Sequence, residues 1–151
     1  MPFERSAGAI IFRKQGNNVV YLLLNYPGTS RTAGGYWDLP KGHIEKGEKE
    51  LDTVRREVAE ETGLTDIIIL DDFKEWIKYF FKSGDQNISK IVTFYLAETQ
   101  SKEIKVSYEH TGYVWLPYEE ALEKLAFENA RGVLRKANDF LTKRLSEMDK
   151  V

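Results

Sequence analysis

The sequence predicts an α+β domain in which helices pack on the faces of a mixed β-sheet. Three observations carry this expectation. The chain of 151 residues is 42% hydrophobic and 30% charged with a net charge of -2, the composition of a globular domain with a real core rather than of a disordered segment. Apolar β-branched runs, the mark of strands, outnumber the helical patterns. Two strands precede the first helix and several follow it in succession, which fits a mixed sheet better than a regularly alternating parallel one. The whole chain, 1–151, is therefore expected to form a single domain.

Each element has its own justification. Ser6–Phe12 and Val19–Leu24 are apolar runs separated by Gln15-Gly16-Asn17-Asn18, which carries hairpin-turn chemistry. Tyr26 to Gly35 mixes Pro, Gly, Ser and Thr without periodicity and reads as an exposed loop. A helix is expected from Glu48 to Gly63: Gly47 precedes it, acidic residues fill its first turn and a glycine stands at its end. Its apolar stripe is Leu51, Val54 and Val58. Thr65–Leu70 reads as a strand, and Phe73–Phe81 with Ile88–Leu96 as a long hairpin turning over residues 82–87. Gly112–Leu116 is a short strand ended by Pro117, Tyr118–Leu125 one or two helical turns, and Asn129–Glu147 a long helix. In that helix Val133, Leu134, Ala137, Phe140, Leu141 and Leu145 lie on one stripe.

Composition also limits the chemistry. Cysteine is absent, so disulfides, thiolate nucleophiles and Cys-based zinc sites are excluded. There are two histidines, which leaves carboxylates as the metal ligands, and carboxylates favour Mg²⁺, Mn²⁺ or Ca²⁺. The near-neutral charge gives no general case for nucleic-acid binding. The N-terminus, MPFERSAGAIIF, lacks the pattern of a signal peptide. The longest apolar run, Val19–Leu24, falls far short of the roughly 20 residues of a spanning helix. A cytoplasmic location without a membrane segment is the expectation.

The most informative stretch is Gly42 to Leu64. Glu57, Glu60 and Glu61 stand at i, i+3 and i+4, so at about 100° per residue they rise from one side of the helix within an arc of roughly 100°. Three like charges there repel one another, and a divalent cation would reverse the sign of that interaction. The flanks matter as much. Gly42, Glu48, Arg56, Glu57, Val58, Glu60, Glu61, Gly63 and Leu64 satisfy G-x5-E-x7-R-E-U-x-E-E-x-G-U, with U aliphatic. At residue frequencies of about 1 in 15, this arises by chance on the order of once per billion start points.

That box resembles the signature of the Nudix hydrolases. The resemblance implies an α/β/α sandwich around a mixed sheet and the Mg²⁺-dependent (or Mn²⁺-dependent) cleavage of a nucleoside diphosphate linked to another group. It implies that Glu57, Glu60 and Glu61 ligate the metal, with Glu57 also activating water, and that the Gly42 carbonyl adds a ligand. Arg56 and Glu48 would support the loop and the ligating carboxylates. Outside the box, Tyr36-Trp37-Asp38-Leu39-Pro40-Lys41-Gly42-His43, Ser89–Glu98 and Tyr108–Leu116 resemble the asymmetric diadenosine tetraphosphate hydrolase branch, with Asp38-Leu39 where animal members often carry Thr-Pro. From this branch come Lys41, His43 and Lys90 as expected phosphate contacts and Glu109 as a further metal-site carboxylate. Tyr79, Trp37 and Phe127 are the expected nucleobase contacts, and His110 a structural or supporting residue. The implied reaction converts diadenosine tetraphosphate to ATP and AMP. Other Nudix substrates stay open: a damaged nucleoside triphosphate, a diphosphoinositol polyphosphate or an RNA 5′ end. So does a nucleotide sensor without turnover. The implied partner is a small nucleotide, and the oligomeric state is open.

Overall fold

A computed structural model describes residues 3–28 and 33–148 of the chain. The expected loop from Tyr26 to Gly35 falls partly on residues 29–32, outside the described residues; Tyr26 itself closes a strand.

The element order is β1 (Phe3–Gln15), β2 (Asn18–Tyr26), β3 (Tyr36–Asp38), β4 (Lys41–His43), α1 (Glu50–Thr62), β5 (Ile68–Ser83), β6 (Gln86–Glu98), β7 (Gly112–Pro117), α2 (Tyr118–Lys124) and α3 (Glu128–Met148). The strands form one sheet in the order β3-β2-β1-β6-β5, with β4 added beside β1 and β7 beside β2. It is mixed: β1 and β6 are parallel and the other pairs antiparallel. β1 changes partner along its length on one edge. Ser6, Ala7 and Gly8 face β4, whereas Phe12 to Gln15 face β2. That switch places β4, and the loop that follows it, against α1.

Alternation in the strands builds a core on each face of the sheet. Ile10, Phe12, Tyr21, Leu23, Phe94 and Leu96 point to α2 and α3, where Ala121, Val133, Leu134, Ala137 and Leu141 meet them. Ala7, Ala9, Ile11, Leu22 and Leu24 point the other way, to Val54 and Val58 of α1. The small residues on this second face let α1 lie close.

The structure corrects three expectations. The helix begins at Glu50 rather than Glu48, because Glu48 is used in a turn: its N–H donates to the Glu45 carbonyl (2.9 Å) and its carboxylate accepts from the Glu45 N–H (2.9 Å). Leu51 is 45% exposed. The first turn of α1 is tied to the rim of the sheet by Glu50, which contacts Arg5, Lys74 and Tyr95, and burial begins with Thr53 and Val54. Thr65–Leu70 and Phe73–Phe81 are not separate strands. The strand starts at Ile68 and continues to Ser83, with a register shift between Ile69 and Lys74 that lets the exposed Asp71 and Asp72 sit inside it as a bulge. Among the described residues no helix is long and apolar enough to cross a membrane.

Candidate active site

Arg56 organises the acidic end of the site. Its Nε donates to Glu48 Oε2 (2.7 Å) and Nη2 to Glu48 Oε1 (2.9 Å). Nη2 also donates to the His43 carbonyl (3.0 Å), while Nη1 reaches Glu57 (2.7 Å) and Glu60 (3.3 Å). Four groups from the β4 loop and α1 thus converge on one planar fork, the geometry guanidinium is suited to hold. The Arg56 fork and the Glu45 N–H together hold the Glu48 carboxyl down at about 2, well below the usual carboxylate range.

The three box glutamates differ in environment. Glu60 is exposed, Glu57 is half-buried against Arg56, and Glu61 is buried. The Glu61 carboxyl is pushed up to about 9, first by burial, then by the Glu57 carboxyl beside it and the charge of Glu109; the backbone N–H of Lys41 pulls the other way. Glu61 Oε2 lies 3.5 Å from His110 Nε2, and neither atom has a hydrogen-bond partner among the described residues. His110 is fixed from its other side by Ser107 Oγ at Nδ1 (2.9 Å) and by the Tyr26 ring, 4.5 Å away edge-on. Glu109 sits in the same turn, exposed.

Gly42 is where the backbone of β4 meets α1. A Cβ there would overlap the Glu57 carboxyl group, so only glycine lets that carboxylate lie flat on the strand. Among the described residues no three Asp, Glu or His side chains stand converged as a finished cation cage, since Arg56 draws Glu57 and Glu60 toward itself. The donor set nonetheless fits Mg²⁺ or Mn²⁺. It consists of hard oxygens, and it includes a buried carboxyl with an unpartnered oxygen, crowded by like groups, a combination that a divalent cation would relieve.

A cavity of about 410 Å³ opens nearby, lined by Tyr36, Asp38, Lys41, Tyr79, Phe127 and Asn129 among others. Tyr36 stacks on Tyr26 (5.2 Å between centroids) and meets Phe127 edge-on (5.3 Å). Lys41 Nζ donates to Asp38 Oδ2 (3.0 Å). Burial pulls the Lys41 ammonium down, but the charge and hydrogen bond of Asp38 outweigh it, and the net shift is upward. Lys90 faces Tyr79 across the β5–β6 pair. Its ammonium is destabilised first by burial and then by the charge of Lys41, and its cross-strand neighbour Tyr79 lines the cavity together with Lys41.

The expected phosphate and base contacts are therefore distributed unevenly. Lys41, Tyr79 and Phe127 line the cavity and Lys90 lies beside it. His43 is exposed at the end of β4, with its carbonyl on Arg56. Trp37 packs against the core on the α3 side with Lys124 Nζ 5.1 Å above its ring, and it is not among the cavity residues. Sequence reasoning missed Tyr36, Asp38 and Asn129 as cavity residues. The first two lie inside the quoted Tyr36–His43 run, and a carboxylate three residues before Lys41 was the available signal. Asn129 carried no signal.

Comparison with known proteins places this site in a family. Residues 2–137 match the NUDIX domain. The bis(5′-nucleosyl)-tetraphosphatase [asymmetrical] of Rattus norvegicus is 33% identical over 147 residues, covering 91% of this chain and 95% of that protein. The Mus musculus protein of the same name is 33% identical over 148 residues, with the same coverage. Among solved structures, a binary complex of C. elegans Ap4A hydrolase superposes with a TM-score of 0.79 at 28% identity, covering 93% of this chain and 98% of that one. With the box, the sheet and the near full-length likeness in agreement, the chain belongs to the Nudix hydrolase family as a pyrophosphohydrolase.

Proposed function

We propose that this enzyme hydrolyses diadenosine tetraphosphate to ATP and AMP in the cytoplasm, with Mg²⁺ as its cofactor and Mn²⁺ as a substitute. The observation that carries the reading is the adjacency of two unlike sites. An aromatic cavity with Tyr36, Tyr79 and Phe127 adjoins the carboxylate face of α1 at Lys41: the Lys41 side chain lines the cavity, and the next residue, Gly42, lies against the Glu57 carboxyl. A nucleoside polyphosphate has matching halves, a flat base and a polyanion. The tetraphosphatase names of the relatives that match along most of the chain support the substrate.

In this reading Glu57, Glu60, Glu61 and Glu109, with the Gly42 carbonyl, hold the cation. Bound there, the cation supplies neutralisation of phosphate oxygens and a lower pKa for water. Glu57 takes the proton from the attacking water. Arg56 and Glu48 keep Glu57 aimed. Lys41, Lys90 and His43 pair with the phosphate chain, and Tyr79 and Phe127 hold a nucleobase by stacking. Water adds across one P–O–P link, so AMP and ATP account for every atom of substrate and water.

A substrate panel tests this. Purified protein with Mg²⁺ is offered diadenosine tetraphosphate, ATP, an oxidised nucleoside triphosphate, a diphosphoinositol polyphosphate and a 5′-triphosphorylated RNA, and products are resolved by anion exchange. Diadenosine tetraphosphate is expected to give the highest kcat/KM, with equimolar ATP and AMP. If it is turned over no faster than ATP, the reading is wrong.

A further inference from the structure

Lys41, assigned above to the phosphate chain, is paired in the cavity with Asp38, a carboxylate that the proposed chemistry does not use. Asp38 is 3% exposed. One carboxylate oxygen accepts from the Leu39 N–H (2.8 Å) and the other from Lys41 Nζ (3.0 Å). With both oxygens engaged and the side chain buried, Asp38 has no freedom to swing. Lys90, close by, has no ion-pair partner among the described residues. Of the two lysines assigned to the phosphate chain, Lys41 is held in place by a carboxylate and Lys90 is not.

Lys41 also joins the two halves of the site. Its side chain ends on Asp38 in the aromatic cavity, and the next residue, Gly42, lies against the Glu57 carboxyl. The distance from the base cavity to the carboxylates therefore runs through one residue. Successive phosphates of a polyphosphate chain are chemically alike, so contacts to phosphate alone do not choose among them. A fixed cation at a set distance from the base does.

We propose that Asp38 is a positioning residue that clamps Lys41 and thereby determines which phosphorus of the bound polyphosphate faces the α1 carboxylates. This rests on the function proposed above. It predicts that releasing the clamp changes where the chain is cut. The wild type breaks an outer link and gives ATP and AMP; a chain shifted by one phosphate is cut at the central link, where the same single water yields two ADP.

Asp38→Asn is the primary variant because it retains an acceptor for the Leu39 N–H. Lys41→Met removes the same pair from the partly exposed side and guards against a folding defect at Asp38. Both are expected to produce ADP alongside ATP and AMP. Their kcat should fall about 10- to 100-fold, the scale of a small misplacement of substrate, and KM should change much less than kcat. A merely structural role would lower activity and leave the product set unchanged. In the free protein, ¹⁵N spectra should show a slowly exchanging Lys41 ammonium in the wild type, identified by its absence in Lys41→Met and lost in Asp38→Asn. Native-fold variants that still give only ATP and AMP, or a Lys41 signal that survives in Asp38→Asn, would overturn the inference. A wild type that leaves diadenosine tetraphosphate intact counts against the proposed function, and the ammonium signal then decides the clamp by itself.

Discussion

Glu48, Glu57 and Glu60 all lean on Arg56, so a single cation orders an acidic surface that would otherwise repel itself. This has a pH consequence at Glu48. Its folded-state carboxyl sits at about 2 instead of the usual 4.5, chiefly through Arg56 and then through the Glu45 N–H. A depressed acid contributes stability that is fully present above its unfolded pKa and lost as pH falls toward the folded one. Glu48→Gln is therefore expected to lower the urea midpoint at pH 7, and the gap from wild type should narrow progressively between pH 4.5 and 2. A gap that is constant with pH would show that the Glu48 charge contributes nothing. The box glutamates were legible because their spacing is local: residues three and four apart on a helix share a side whatever the rest of the chain does. Glu61 and His110, or Lys90 and Lys41, are far apart in sequence and acquire their meaning only when the sheet closes.

At the scale of elements, α1 and β4 fit together like a seat and its occupant. The helix ends at Gly63, in the left-handed region at φ 76 with its N–H on the Ala59 carbonyl, and this stop was readable from the glycine alone. β3 and β4 were not readable. Strands of three residues have too little alternation to register, and they exist because β1 and β2 offer them an edge. The burial of Leu51 was misjudged for a related reason, since periodicity identifies a stripe but not where along the helix its cover begins. The contact of Gly42 with Glu57 gives a sharp expectation. Gly42→Ala must displace the Glu57 carboxyl, and it should cost about 1–3 kcal/mol of stability as an overpacked contact. Its kcat should fall by about 100-fold through misplacement. Chemical denaturation and single-turnover kinetics measure the two separately; unchanged turnover would mean that Glu57 does not need its seat.

Across the whole molecule, a two-faced sheet separates tasks. α3 and α2 cover one face, and α3 contributes the wall residues Asn129 and Ala130 to the cavity. α1 covers the other face and carries the carboxylates. The mixed sheet and the helices on its faces followed from element order and composition, whereas the long β5, the partner switch in β1 and the joining of the two sites through Lys41 are products of tertiary pairing. The proposed activity depends on the carboxylates of α1 holding a divalent cation beside a polyphosphate. The direct measurement is calorimetric titration of Mg²⁺ into the protein bearing a non-hydrolysable dinucleoside tetraphosphate, for the wild type and for Glu57→Gln, with turnover of the natural dinucleotide measured in parallel. Saturable binding in the wild type, weakened in Glu57→Gln together with a fall in kcat of about 10²- to 10⁴-fold, is the expected result. Identical Mg²⁺ heats and identical turnover in the two proteins would contradict it.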